Sequence, residues 1–203
     1  MKLAIISDSH DNLENVKKFL LFVEEIKVEK IICLGDVAKI ETLNYLATKF
    51  LGEIFLVRGN ADLYSPADLK KHKNIKYLQE LGEIEIGGLK LALVHEPEKI
   101  KHFNLLDQES TRINIVKQNL INKIDLKNSN SDKLKSSKQS LNELNQNKVL
   151  PDFIFYGHAH KPWLKKEGKT FVANPGTLGG VYYQATFAIL NTETKNLELR
   201  GLN

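Results

Sequence analysis

The sequence predicts an α/β fold built on a largely parallel sheet. Two observations carry that reading. The first half alternates short apolar runs with amphipathic helical stretches, which is the rhythm of βαβ units. Each apolar run also stops at a cluster of polar residues. The elements follow in order. Lys2–Ile6 reads as a strand. Asn12 then reads as a helix N-cap. Leu13, Val16, Leu20 and Val23 recur at spacings of three and four, the signature of an amphipathic helix. Lys30–Leu34 is a second strand, stopped by Gly35-Asp36. A helix covers about Glu41–Phe50. Ile54–Val57 is a third strand, stopped by Arg58-Gly59-Asn60.

The middle of the chain changes period. Glu83–Ile86 alternates with period two, Gly87-Gly88 suits a two-residue hairpin turn, and Leu89–Val94 returns to end at His95. Phe103–Asn147 has no Gly or Pro and is rich in Asn, Lys, Ser and Gln. Within it, Ile113, Val116, Leu120 and Ile124 fit one helical face, and Ser140–Gln146 suits a second short helix. Asn128–Ser137 reads as a flexible polar link. Asp152–Tyr156 is a strand stopped by Gly157-His158-Ala159-His160. Three β-like runs follow, Thr170–Ala173, Tyr182–Leu190 and Leu197–Leu199.

Composition narrows the class. With 203 residues, 42% of them apolar, the chain can bury a core without covalent staples. No apolar run approaches the roughly 18 residues of a membrane span. The apolar start, Met1–Ile6, is too short for a signal-peptide core. Cys33 is the sole cysteine, so an intramolecular disulfide and a cysteine-type zinc site are excluded. A cytoplasmic protein is expected. The net charge is +4. Lys101–Leu150 holds nine basic and five acidic residues, which accounts for all of it. Phe103 is the sole aromatic residue there, whereas nucleic-acid platforms interleave positive charge with stacking rings. Nucleic acid is therefore not an expected partner, except as a nucleotide-type substrate.

The polar clusters carry the chemistry. Asp8 and His10 follow the first strand, Asp36 the second and Asn60 the third. His95 ends the hairpin, and His158 and His160 follow the later strand. Ligands of open α/β sheets bind at the carboxyl ends of strands. Seven oxygen and nitrogen donors on one rim point to a metal site. Carboxylate, imidazole and amide together suit Mn²⁺, Fe²⁺ or Zn²⁺ rather than Ca²⁺. An Asp can bridge two such ions, and a two-metal centre suits phosphoryl transfer.

That ordered set resembles the calcineurin-like metallophosphoesterase superfamily, and more closely its compact YfcE-like phosphodiesterase branch, related in fold to the Vps29 scaffold. The matching residues are Asp8-Ser9-His10, Asn12, Gly35-Asp36, Arg58-Gly59-Asn60-Ala61-Asp62, His95, Gly157-His158-Ala159-His160 and Asn174-Pro175-Gly176. The resemblance implies an α/β, four-layer αββα sandwich of two mixed β-sheets flanked by helices. It implies a metal-dependent phosphodiesterase, hydrolysing phosphate esters by a hydroxide activated at a two-metal centre. Asp8, His10, Asp36 and His160 would take one ion. Asp36, Asn60, His95 and His158 would take the other, with Asp36 bridging. Mn²⁺ is the first expectation, with Fe, Zn or Ni as alternatives. Asn12 and Arg58 would orient the phosphate.

The sequence departs from the family pattern at three places. Ala61 stands where many members carry a proton-donating His. Glu96 follows His95 where a Gly is usual. Lys101–Ser137 looks like an insertion into a single domain spanning 1–203, and is read as a substrate lid, a partner-binding arm or a tolerated surface segment. A phosphomonoesterase or nucleotidase on the same site is the alternative activity, and a Vps29-like non-catalytic scaffold the alternative role. A homo-oligomer is compatible with the sequence.

Overall fold

The computed structural model describes residues 1–103 and 150–202. All the elements below come from the compact unit formed by 1–102 and 151–203. The helices expected over Ile113–Ile124 and Ser140–Gln146, and the link Asn128–Ser137, lie outside the described residues.

The first sheet comprises β1 (Lys2–Ile6), β2 (Lys30–Cys33), β3 (Glu53–Leu56), β4 (Ile75–Tyr77), β10 (Thr186–Asn191) and β11 (Asn196–Gly201). Its order is β11-β10-β1-β2-β3-β4. β1 to β4 are parallel, and β10 and β11 are added antiparallel. The second sheet comprises β5 (Leu81–Ile86), β6 (Leu89–Val94), β7 (Phe153–Phe155), β8 (Trp163–Glu167) and β9 (Thr170–Asn174). It runs β5-β6-β7-β9-β8, with β6, β7 and β9 parallel and both edges antiparallel. Both sheets are mixed, as the sandwich requires.

β1 is buried on both faces, which is why it reads as a continuous apolar run. Leu3 and Ile5 face the second sheet, packing with Ile32, Leu34, Leu91, Leu93, Phe153 and Phe155. Ala4 and Ile6 face outward onto α1 (Leu13–Glu25) and α2 (Ile40–Lys49). α1 begins where Asn12 caps it, its side-chain oxygen accepting from the Asn15 amide. Val16, Phe19 and Val23 form its buried stripe, with Phe19 edge-on to Phe187 of β10. Such burial contributes about 1.5–3 kcal/mol per side chain. No helix among the described residues is long and apolar enough to cross a membrane.

β4 and β8 escaped the sequence pattern. β4 has three residues, and β8, Trp-Leu-Lys-Lys-Glu, is exposed throughout. Both are edge strands, whose side chains need not alternate in polarity. β10 begins at Thr186, four residues later than the expected strand from Tyr182. Tyr182 instead sits in a loop at φ 62.

Candidate metal centre

Seven donors converge above the carboxyl ends of β1, β2, β3, β6 and β7. Asp8, His10 and His160 form one group, and Asp36, His95 and His158 a second. Asn60 joins the second, its Oδ1 lying 2.9 Å from His95 Nε2 and 2.8 Å from His158 Nδ1. All seven residues expected from the sequence are thus gathered at one rim. Asp36 lies between the groups, its Oδ2 3.3 Å from His95 Nε2 and 3.9 Å from His10 Nε2.

The backbone is bent to achieve this. Asp8, His10, Asp36, His158 and His160 all have positive φ, between 41° and 65°. Non-glycine residues reach that region at a cost, and such strain clusters at functional sites. Close backbone contacts hold the loops there. A Cβ on Gly59 would stand 2.1 Å from Asp36 Oδ1, and one on Gly157 would stand 2.0 Å from Ser7 Oγ. Neither position accepts a side chain without moving a ligand-bearing loop.

Hydrogen bonds from outside the donor set fix the ligands. His95 Nδ1 donates to the Leu34 carbonyl (2.7 Å) and His160 Nδ1 to the Val181 carbonyl (3.2 Å). In the neutral imidazole this leaves each Nε2 as a lone pair aimed into the site. The Ala61 amide donates to Asp36 Oδ1, and the His158 amide to Asp8 Oδ2.

The donor set fits a cation. Asp8 Oδ1 is buried and has no hydrogen-bond partner among the described residues. It lies 3.2 Å from His160 Nε2, which in turn lies 3.1 Å from His10 Nε2. Electron pairs facing one another in a buried site repel unless positive charge lies among them. Burial raises the pKa of Asp8, opposed by Ser7 and the nearby histidines. Burial also works to raise Asp36 and to lower His95. When His95 is instead protonated on both nitrogens, its hydrogen bond and charge with Asp36 reverse both effects, so Asp36 is net lowered and His95 net raised.

Asn12, Arg58 and Glu96 each have partners within the chain. Asn12 donates Nδ2 to the Gly179 carbonyl (2.8 Å) as well as capping α1. Arg58 donates Nη2 to the Asp62 carbonyl (3.2 Å). Glu96 pairs with Lys99 at 2.9 Å, and Lys99 also pairs with Glu80. That hydrogen bond holds the Glu96 pKa below its ordinary range.

Other residues position the site without a donor motif to reveal them. Asp62 is buried and accepts from the Ala38 and Gly59 amides, tying the loops after β2 and β3 together. Asp11 Oδ1 accepts from the Lys39 amide and the Thr42 hydroxyl. Thr177 Oγ1 donates to the Asp8 carbonyl, and Asn174 Nδ2 to the Gly157 carbonyl. Asn174-Pro175-Gly176 stood out in the sequence, but its task did not.

Relatives share this architecture. Phosphodiesterase MJ0936 of Methanocaldococcus jannaschii is 24% identical, over 96% of this chain and 95% of its own. Solved structures covering all of both chains include a novel archaeal phosphodiesterase (22% identity, TM-score 0.68) and the Escherichia coli phosphoesterase YfcE (18%, 0.56). Vps29 of Entamoeba histolytica complexed with Zn²⁺ also matches over all of both chains (18%, 0.59). These structural likenesses speak to the fold. Residues 1–195 match the calcineurin-like phosphoesterase superfamily domain, and the chain belongs to that superfamily.

Proposed function

We propose that the chain is a metal-dependent phosphodiesterase that binds two divalent ions. The observation that carries this reading is the buried Asp8 Oδ1, without a hydrogen-bond partner among the described residues and 3.2 Å from the His160 Nε2 lone pair, within a set of seven donors. Family membership makes a metal-dependent phosphoester hydrolase the coarser reading, and the relative named phosphodiesterase favours the finer one. Asp8, His10 and His160 would hold one ion, Asn60, His95 and His158 the other, with Asp36 shared. When bound, the ions supply Lewis-acid activation of the phosphoryl group and a source of hydroxide at neutral pH. Mn²⁺ is proposed first, with Fe, Zn and Ni as alternatives that the same donors accept.

The residues divide the remaining work. Leu34 and Val181 carbonyls fix the two imidazoles whose Nε2 atoms face inward. Arg58 is proposed to orient the phosphate, its guanidinium steadied by the Asp62 carbonyl. Asn12 was expected to share that task, but its amide is engaged at both ends. Its proposed part is therefore to position the loop after β1. Ala61 cannot donate a proton to a leaving group. Diesters with acidic leaving groups, which need little protonation, are the favoured substrates over monoesters.

We read 1–203 as one domain carrying 101–137 as an insertion. The family match across 1–195 supports that. A cytoplasmic setting is proposed on the single, buried, free cysteine.

A panel of diesters, monoesters and cyclic nucleotides tests the reading. It is run on chelator-stripped protein reloaded with Mn²⁺, Fe²⁺, Zn²⁺ or Ni²⁺. Metal-stimulated diesterase activity exceeding monoesterase activity is expected. Metal binding without hydrolysis of any ester would favour a scaffold, since Vps29 itself is found with Zn²⁺.

A further inference from the structure

Tyr182 is the most exposed aromatic side chain among the described residues, at 89% of its full surface. It stands against the candidate metal centre. Its ring centroid lies 5.5 Å from that of His160, tilted by 38°. Its backbone is at φ 62, an uncommon conformation for a bulky residue. An exposed ring in a strained backbone gains nothing for the core.

The loop that presents the ring is held firmly. Leu178 and Gly179 donate their amides to the carbonyls of Ser7 and Asp8 (2.8 and 3.0 Å). Asn15 Nδ2 donates to the Leu178 carbonyl, and Asn12 Nδ2 to the Gly179 carbonyl. The Val181 carbonyl accepts from His160 Nδ1. The residue immediately before Tyr182 thus fixes a candidate metal ligand, and the ring is set beside that ligand in advance. Pre-organisation of this kind lowers the entropy lost on binding. Aromatic faces in such positions stack on nucleobases, tolerantly of sequence, because every base has a π-face.

We propose that Tyr182 is a stacking platform for the base of a nucleotide whose phosphate binds at the metal centre, so that nucleotide phosphodiesters are the substrate class. This rests on the phosphodiesterase reading for its chemistry, but the stacking contact is testable apart from it. The face of the ring recognises the base. The hydroxyl is not needed, so phenylalanine serves equally.

The decisive measurement is calorimetric binding to the metal-loaded, full-length protein. Thymidine 5′-monophosphate and methyl phosphate are compared on the unaltered chain, Tyr182→Ala and Tyr182→Phe. Tyr182→Ala should weaken the nucleotide relative to methyl phosphate by about 5- to 150-fold, the span of single-base stacking losses on alanine substitution. Tyr182→Phe should keep the preference. Equal changes for both ligands would overturn the proposal. So would loss of metal from Tyr182→Ala, since the ring would then be a support for His160. In turnover, the ratio of kcat/KM for thymidine 5′-(p-nitrophenyl phosphate) over ethyl p-nitrophenyl phosphate should fall by the same factor, through KM. If neither ester is hydrolysed while the binding preference behaves as expected, the phosphodiesterase reading fails and the platform stands.

Discussion

The two donor groups of the centre are built differently. In the first, Asp8 is fully buried and one of its carboxylate oxygens has no hydrogen-bond partner among the described residues. In the second, Asp36 receives the Ala61 amide on one oxygen and faces His95 with the other. The second group is also more open, since Asn60 and His158 are exposed. Asp8 Oδ2 likewise receives the His158 amide, and its other oxygen faces His160 at 3.2 Å. Burial still raises the Asp8 pKa, whereas the partners of Asp36 outweigh its burial and hold its pKa down. The charged carboxylate is therefore the less well stabilised one in the first group. A site with excess buried charge depends on an ion, whereas one with internal partners holds its shape without it.

Substitutions can break or sharpen that contrast. Asp36→Ala removes the one group placed between both sets. Both ions should be lost, and diesterase activity should fall by more than the roughly 10–100-fold that follows loss of an outer hydrogen-bond partner of a ligand. Metal analysis of reconstituted protein checks it, and two retained ions would refute the shared role. Ala61→His adds a proton donor next to Asn60 of the second group, on the residue whose amide bonds the shared Asp36. Turnover of esters with poor leaving groups should rise relative to activated ones, toward the low end of the ~10²–10⁴-fold range of general acid catalysis. Equal effects on both kinds of ester would count against it.

Glycine substitutions test the groups sterically. Gly157→Ala presses on Ser7 and stands 3.1 Å from both Asp8 Oδ2 and His95 Nδ1, whereas Gly59→Ala presses on Asp36. Overpacking of this kind costs about 1–3 kcal/mol, or about 2–4 °C in Tm per kcal/mol for a chain of this size. Metal titration should show both groups weakened in each variant, through Asp8 and His95 in Gly157→Ala and through the shared Asp36 in Gly59→Ala. Weakening of one ion alone would show that the groups are separable. Asn12→Ala should have the smallest effect, a stability loss near the ~1 kcal/mol typical of an N-cap. A large fall in kcat with unchanged Tm would instead restore a phosphate-orienting role to Asn12.

The sequence showed the donors because each follows a strand, and strand ends carry a local signal. β1, β2, β3 and β6 were legible because their apolar runs are buried on one face or both. β8 was not, since its five residues are all exposed. Tyr182-Tyr183 looked like the start of a strand because aromatic residues favour sheets. Contacts of the preceding Leu178, Gly179 and Val181 to Ser7, Asp8 and His160 hold the segment in a loop instead. The clamp by Asp62 and the Thr177 bond to Asp8 join residues 24 and 169 positions apart. No local pattern announces them.

The pairing of β1 with β10, and the bond from Thr177 to Asp8, join segments 169 or more residues apart in sequence. A ribosome releases Asp8, His10, Asp36, Asn60 and His95 long before His158, His160 and the loop behind them. Folding of such non-local topology is slow, because chain closure precedes its reward. The half-made protein therefore carries an incomplete chelating set. A growing chain can complete the candidate donor set only after His160 and the loop around Thr177 have emerged, so loading of the proposed ions would wait until those residues leave the ribosome.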